Sequence, residues 1–179
     1  KIINAKSLIW YPSEVDVSIR PGWFYHQKED SLVKTPEQLF DIYFTSVGRN
    51  SVLLLNVPPD KRGLFHENDI KSLKGFKKLL DNTFKNNLAS NSTLKAGNGR
   101  KGFNIYSLID NNNKTYWTTK QNEFTTEIEI TLKKISHFDC FMIQENFRSG
   151  QRIEEFSLEI WQNDQWNEII KGTTVGYKR

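Results

Sequence analysis

The feature that most constrains the fold is a short apolar run that ends in two prolines. The central four of residues 51–56 are aliphatic, the segment has the length of a strand, and Pro58 and Pro59 follow just after it. Runs of this kind are typical of strands that are buried on both faces, as in a parallel sheet covered by helices. The sequence therefore predicts an α/β arrangement for this part of the chain.

Two amphipathic helices accompany the predicted strands. Thr35 caps the first helix, with Pro36 at the first helical position and Gln38 completing a capping box. The second helix is predicted over residues 67–84, where apolar side chains recur every three or four positions. An alternating segment at residues 15–20 precedes the first helix and predicts another strand.

The strand–helix order suggests part of a larger sheet or barrel. Residues 1–88 hold about two strand–helix units, the order found in a (β/α)8 barrel or an open α/β sheet. A complete barrel needs ~250 residues, and two units alone leave the edge of a parallel sheet bare. We therefore interpret residues 1–88 as the C-terminal part of a catalytic barrel.

The pattern changes after a stretch that is rich in Asn and Gly. Residues 89–102 are predicted to be a linker. From Phe103 to Arg179, short alternating segments separated by turns predict an antiparallel β-sandwich domain, which we expect to be incomplete. The predicted strands of this domain cover residues 127–132, 138–143, 155–160, 166–170 and 173–177.

Composition excludes several classes of protein. No apolar run approaches the ~18 residues that a membrane span requires. Cys140 is the only cysteine, so neither an intrachain disulfide nor a cysteine-based zinc site is expected. The net charge is +4, but residues 61–101 hold ten basic side chains against three acidic ones, so the rest of the chain is net acidic. We interpret that stretch as a solvated helix face rather than a nucleic-acid-binding surface, because aromatic residues do not interleave the basic ones.

Candidate binding residues surround the end of the first predicted strand. Reacting groups in parallel α/β barrels cluster at the carboxyl ends of strands. Carboxylates accept hydrogen bonds from sugar hydroxyls, and aromatic rings stack on the C–H faces of sugars. The candidate substrate-binding residues are Trp23, Glu14, Asp16 and His26.

Each candidate has an alternative interpretation. Glu14 and Asp16 lie two residues apart on one strand face, roughly 7 Å from each other, whereas a pair of catalytic carboxylates has to flank the scissile bond. We interpret both as acceptors for sugar hydroxyls, and a salt bridge from Asp16 to Arg20 is about equally supported. Trp23 could instead be a core residue that caps the barrel. His26 lacks the spacing of a metal ligand, so no metal or cofactor is expected.

The chain resembles the α-L-fucosidases of glycoside hydrolase family 29, and most closely the branch that acts on α-1,3/1,4-fucosyl linkages. The opening residues that carry this resemblance are Trp10, Pro12, Glu14, the run from Asp16 to His26, Gly48-Arg49-Asn50 and the run from Leu53 to Asp60. Later segments are similar to that family's C-terminal β-sandwich, of the galactose-binding or discoidin-like type. These segments are Thr115-Tyr116-Trp117, Gln144-Glu145, the run from Gly150 to Ile153 and the run from Gly172 to Arg179.

The resemblance implies a retaining exo-glycosidase with an Asp nucleophile and a Glu acid/base on an imperfect (β/α)8 barrel. Both catalytic carboxylates are expected upstream of Lys1, so no catalytic residue is assigned here, and Glu14 is the fallback for the acid/base. Trp23 matches a position that lines the fucose pocket. Glu14 and Asp16 match positions near the leaving-group sugar.

The whole protein is thus expected to hydrolyse terminal α-1,3/1,4-linked fucose in the periplasm or outside the cell, and this chain alone is expected to be inactive. The expected partners are a fucosylated glycan and the N-terminal portion of the barrel, with no nucleic acid and no membrane.

The alternative to an enzyme is a non-catalytic carbohydrate-binding β-sandwich, in which Trp161 is exposed on the polar face of its strand. The possible stacking rings of such a module are Phe103, Tyr116, Trp117, Trp161 and Trp166.

Overall fold

The computed structural model describes residues 6–7 and 11–179, except for the side chain of Ser149. The interpretation of residues 8–10 as a strand therefore lies outside the described residues. The chain divides into two compact units: one runs to Phe84 and also takes in Met142–Arg179, and the other is Lys85–Phe141. The predicted domain boundaries stay a prediction.

The first unit contains the predicted parallel strands and both predicted helices. Strand β1 (Glu14–Ser18) pairs in parallel with β2 (Val52–Asn56) along its whole length. Helix α1 (Pro36–Ser46) connects them, and helix α2 (Glu67–Phe84) follows β2. The predicted order of strands and helices in this part of the chain is confirmed, and the bounds of α2 agree with the prediction at both ends.

Local signals account for the start of α1 and for its packing. Thr35 Oγ1 accepts a hydrogen bond from Gln38 N at 3.3 Å, and Gln38 Oε1 accepts one from Thr35 N at 2.9 Å, which completes the predicted capping box. Helices α1 and α2 pack closely at Gly75, because a Cβ atom added there would lie 2.5 Å from Pro36 Cγ. Leu39 of α1 is buried in the core of this unit.

The prediction that β2 is buried on both faces is wrong for this chain. Val52 is 45% exposed and Leu54 is 47% exposed, whereas Leu53 and Leu55 on the other face are half-buried. The described sheet has two strands, which is too narrow for helices to cover both faces. The apolar run predicts a strand whose side chains are stabilised by burial. Whether those side chains are buried depends on which other strands and helices pack against both faces of the sheet.

The described residues form two antiparallel pairs of strands: the hairpin joins strands that were predicted, whereas the other pair uses residues 93–95, which the prediction placed in the linker. In the second unit, β3 (Thr93–Lys95) pairs with β4 (Glu129–Thr131). In the first unit, β5 (Glu155–Gln162) and β6 (Gln165–Thr173) form a hairpin. Asn163 and Asp164 close it with φ angles of 55° and 59°, the left-handed conformation that two-residue hairpin turns require and that Asn and Asp tolerate.

Two of the predicted strands differ in the structure. Residues 138–143 were expected to form a strand, but their backbone is irregular, and Ile143 pairs with Arg179 instead. Strand β6 ends at Thr173, so residues 174–177 do not continue it. Apolar composition indicates a tendency to be buried and does not by itself provide a pairing partner.

Among the described residues, no helix is long and apolar enough to cross a membrane.

Candidate functional site

Arg20 anchors the loop that follows β1. Its side chain is fully buried, and its Nε and Nη2 atoms donate to Asp69 Oδ2 at 3.1 and 3.0 Å. Its Nη1 atom donates to Asp30 Oδ1 at 2.9 Å. The guanidinium also lies over the ring of Tyr25, with Cζ 4.8 Å from the ring centroid. All three contacts direct Arg20 inward, so it holds the loop and is not available to a ligand.

Burial and charge act in opposite directions on this cluster. Burial lowers the pKa of Arg20, but the hydrogen bonds and charges of Asp69 and Asp30 outweigh it and raise that pKa above its usual value. The pKa of Tyr25 is raised by burial and then by the adjacent Asp30 carboxylate. Arg20 therefore stays charged and Tyr25 stays neutral at physiological pH.

His66 joins the same cluster from the start of α2. Its Nε2 atom lies 3.3 Å from Asp30 Oδ2, and its Nδ1 atom accepts a hydrogen bond from Asn68 N at 3.2 Å. A neutral imidazole that accepts at Nδ1 carries its proton on Nε2, which then points at the carboxylate. Tyr25 Oη donates to the same Asp30 oxygen at 3.3 Å. Asp30 thus connects the loop after β1 to the beginning of α2.

Trp23 is held at the carboxyl ends of both parallel strands. Asn56, the last residue of β2, donates from Nδ2 to the carbonyl oxygen of Trp23 at 2.7 Å and to Ser18 Oγ at 3.2 Å. Ser18, the last residue of β1, donates from Oγ to the carbonyl oxygen of Gly22 at 2.8 Å. The Trp23 side chain remains 46% exposed. The backbone under this ring is therefore fixed while the ring stays accessible.

Glu14 and Asp16 lie on the exposed face of β1, opposite Val52 and Leu54 of β2. Within the described part of the chain, neither carboxylate takes part in a hydrogen bond or an ion pair. The alternative salt bridge from Asp16 to Arg20 does not form, because Arg20 is held by Asp69 and Asp30. Both carboxylates are free to accept hydrogen bonds, and their role in substrate binding stays a prediction.

His26 is exposed and lies at the end of the loop that carries Trp23. Its carbonyl oxygen accepts a hydrogen bond from Glu29 N at 2.9 Å, which starts a short 3-10 turn at Gln27–Glu29. The structure thus places all four candidates on β1 and the loop that follows it. Their role in substrate binding stays a prediction.

The loop after β2 is closed by hydrogen bonds to Asp60. Asp60 Oδ2 accepts from Arg62 Nη2 at 2.6 Å, and Asp60 Oδ1 accepts from Arg62 N at 2.7 Å. These bonds lower the pKa of Asp60 from 3.8 to about 2. Because the folded pKa is depressed, the stabilising effect is present above pH 3.8 and is lost as the pH falls through about 2.

No group of three or more His, Cys, Asp or Glu side chains among the described residues is arranged to hold a metal ion. The Asn-rich turn at residues 110–115 uses its oxygens internally. Asp110 accepts hydrogen bonds from Asn112 N at 2.8 Å and from Thr115 Oγ1 at 2.6 Å.

Sequence reasoning missed Asp30, Asp69 and His66 as parts of this site. Asp69 had a usable signal, because it falls on the inward stripe of α2 with Ser72 and Phe76, at helical spacing. A carboxylate at a core-facing position requires a buried cation. That reasoning predicts an inward-pointing Arg or Lys, although it does not identify which one.

Two family comparisons divide the chain near its middle. Residues 4–83 match the alpha-L-fucosidase family, and residues 87–179 match the F5/8 type C domain family. The second match covers the residues that were expected to form a discoidin-like domain.

Similar proteins cover almost the whole chain. Alpha-L-fucosidase 1 of Arabidopsis thaliana is 40% identical over 176 residues, which is 95% of this chain and 34% of the relative. A solved structure of a glycoside hydrolase family 29 fucosidase from Ruminococcus gnavus in complex with fucose is 36% identical, with a TM-score of 0.89, over 97% of this chain and 36% of that one. A solved structure from Bacteroides thetaiotaomicron is 43% identical, with a TM-score of 0.88, over 97% and 39% of the two chains. The chain thus spans about a third of the length of the curated relatives it matches.

Proposed function

We propose that this chain supplies one wall of a fucose-binding site. The chain belongs to the F5/8 type C domain family through residues 87–179, and residues 4–83 match the alpha-L-fucosidase family. In this proposal the whole protein is an α-L-fucosidase that hydrolyses fucosylated glycans. The chain contributes the pocket wall and an accessory domain.

One observation carries the proposal: Trp23 presents an exposed ring on a backbone fixed by the ends of two parallel strands. A ring held in this way can stack on the apolar face of a sugar without losing much conformational freedom on binding. On the preceding strand, Glu14 and Asp16 offer unpaired carboxylates to hydroxyl groups.

The finer parts of the proposal rest on the family resemblance. The linkage cleaved is α-1,3/1,4 to terminal fucose, and the mechanism retains configuration through an Asp nucleophile and a Glu acid/base outside this chain. Strands β1 and β2 are the last strands of a (β/α)8 barrel whose N-terminal portion is the partner of this chain. The site of action is the periplasm or the extracellular space. The fucose complex of the Ruminococcus gnavus relative supports the substrate class.

The experiment measures fucose binding and fucoside hydrolysis separately. α-L-Fucose is titrated into the 179-residue chain and binding is monitored by saturation-transfer NMR. The dissociation constants of the wild type, Trp23→Ala and Trp161→Ala are compared. We expect Trp23→Ala to weaken binding by about tenfold, with the same thermal unfolding midpoint. Unchanged binding in Trp23→Ala would overturn the proposal. We expect no hydrolysis of 4-nitrophenyl α-L-fucoside, and robust hydrolysis would show that the nucleophile lies within this chain.

An alternative function is non-catalytic carbohydrate binding through the C-terminal hairpin. Trp161 and Trp166 face each other across β5 and β6 with ring centroids 5.4 Å apart, and they are 58% and 52% exposed. The exposure of Trp161 agrees with the sequence prediction. Binding on a glycan array that is lost in Trp161→Ala but kept in Trp23→Ala, with the fold intact, would favour this alternative.

A further inference from the structure

The second unit contains a cavity that the fucose proposal does not use. Its volume is about 480 Å³, and it lies between β3, the loop that follows β3 and residues 117–120. Sites for small ligands typically enclose about 300–1,000 Å³. It is a shallow concavity that is open to solvent, and its volume is large enough for one or two sugar rings.

The wall of this cavity is basic. Lys95, Arg100 and Lys120 line it, and no carboxylate does. Lys95 Nζ lies 4.0 Å from Glu129 Oε1, at an exposed position where such a pair contributes little. Within the described ranges, Arg100 and Lys120 form no ion pair. Unpaired cations that converge on a concavity create a positive potential that favours an anion.

The same wall carries two aromatic rings. Arg100 Cζ lies 5.6 Å from the ring centroid of Phe103, and Phe103 packs on Tyr116 with centroids 4.9 Å apart. The indole of Trp117 lies against Gly99, where an added Cβ atom would be 2.8 Å from Nε1. Rings beside cations suit a ligand that has both apolar C–H faces and a negative charge. A bare inorganic anion would not use the rings.

The backbone that carries these cations is held in place. Arg100 N donates to Thr118 O at 3.0 Å, and Lys120 N donates to Asn98 O at 2.9 Å. The side chain of Asn98 donates in turn to Thr125 O at 2.8 Å. A wall fixed by such bonds loses less conformational entropy on binding than a free loop does.

We propose that this cavity binds a sugar that carries an anionic substituent, either a sulfate or a carboxylate. Arg100 and Lys120 bind the anionic group, with Lys95 adding charge, while Phe103 and Trp117 contact the sugar ring. The site lies within the second unit and acts independently of the fucose site, so it would recruit the protein to charged glycans whether or not the fucose proposal holds.

The test is calorimetric titration of the full chain with three probes at 50 mM salt. The probes are 6-sulfo-N-acetyllactosamine, 3′-sialyl-lactose and neutral N-acetyllactosamine. We expect at least one anionic probe to bind about tenfold more tightly than the neutral one, and its affinity to fall as salt screens the charges. Comparison of the affinities for the sulfated and the sialylated probe identifies which anionic group the site prefers.

A double variant with a matched control locates the site. Arg100→Gln with Lys120→Gln is expected to weaken binding of the anionic probe at least tenfold. Lys133→Gln with Lys134→Gln removes the same charge from exposed positions of the same unit outside the cavity wall, and it is expected to change affinity less than twofold. Both variants are compared by thermal unfolding to establish that they fold.

Three results would overturn the proposal. One is equal affinity for the neutral and anionic probes, and another is an equal loss of affinity in both double variants. The third is binding to vesicles of an anionic phospholipid with no binding of either anionic sugar. Fucose binding that depends on Trp23 is a separate readout, so failure here leaves that proposal standing.

Discussion

At the scale of single residues, the strongest organising interaction is the burial of Arg20. Its position four residues after Asp16 made it a plausible salt-bridge partner for that carboxylate. The structure instead places its guanidinium against Asp69 and Asp30, out of contact with solvent. Asp69 Oδ1 is buried without a hydrogen-bond partner among the described atoms, so the charge of Asp69 depends on Arg20.

We expect Arg20→Met to lower the free energy of unfolding by about 3–5 kcal/mol, because it leaves the buried Asp69 carboxylate without its cation. The matched control is Lys77→Met, which removes a cation from an ion pair with Asp81 in which both side chains are exposed and should cost about 1 kcal/mol or less. Urea denaturation of both variants measures the difference. Similar losses of unfolding free energy in the two variants would show that the burial of Arg20 does not account for its contribution to stability.

At the scale of elements, helices were easier to predict than strands. The start of α1 follows from Thr35, Pro36 and Gln38, and the bounds of α2 follow from its apolar spacing, since both signals lie within a few residues. Residues 138–143 have an equally strand-like composition, but a strand also needs a backbone hydrogen-bonding partner. Within this segment, Ile143 pairs with Arg179. The sequence pattern does not contain that partner.

We expect Thr35→Ala to destabilise the chain by about 1 kcal/mol, because the Gln38 N–H loses its acceptor, Thr35 Oγ1, while the backbone N–H of residue 35 can still donate to Gln38 Oε1. Thr45→Ala is the matched control: Thr45 is an exposed residue inside the same helix, and its hydroxyl bonds back to Asp41 O. Alanine is favoured inside helices, so this variant should be neutral or slightly stabilising. Thermal unfolding measures both, and an equal loss in the two variants would contradict a capping role.

At the scale of the whole molecule, Glu145 joins distant parts of the first unit. Its Oε1 atom accepts from Arg152 N and Ile153 N at 2.8 Å each, and its Oε2 atom accepts from Gly176 N at 2.7 Å. The terminal segment in turn reaches α1 through Lys178, whose Nζ atom lies 3.3 Å from Tyr43 Oη. One carboxylate therefore connects two segments by hydrogen bonds, although the segments are far apart in the sequence.

We expect Glu145→Gln to cost about 1.5–3 kcal/mol, since backbone donors lose a charged acceptor and one oxygen becomes an amide donor. Glu154→Gln is the control, because Glu154 is exposed on the same connection and its side chain makes no hydrogen bond within the described residues. Hydrogen exchange should show faster exchange at the Gly176 amide in Glu145→Gln and no change in the control. Unchanged protection at that amide would refute the anchoring role.

The sequence alone determined what neighbouring residues can decide: the caps and faces of both helices, the alternation of β1 and the antiparallel segments, and the cluster of candidates on β1 and its loop. It could not decide which carboxylate meets Arg20, because Asp69 is 49 residues away and Asp16 was nearer along the chain. It also could not show that Val52 and Leu54 are exposed, or that Lys95, Arg100 and Lys120 share one cavity. Those facts depend on distances through space between segments far apart in the chain, and only the folded backbone sets them.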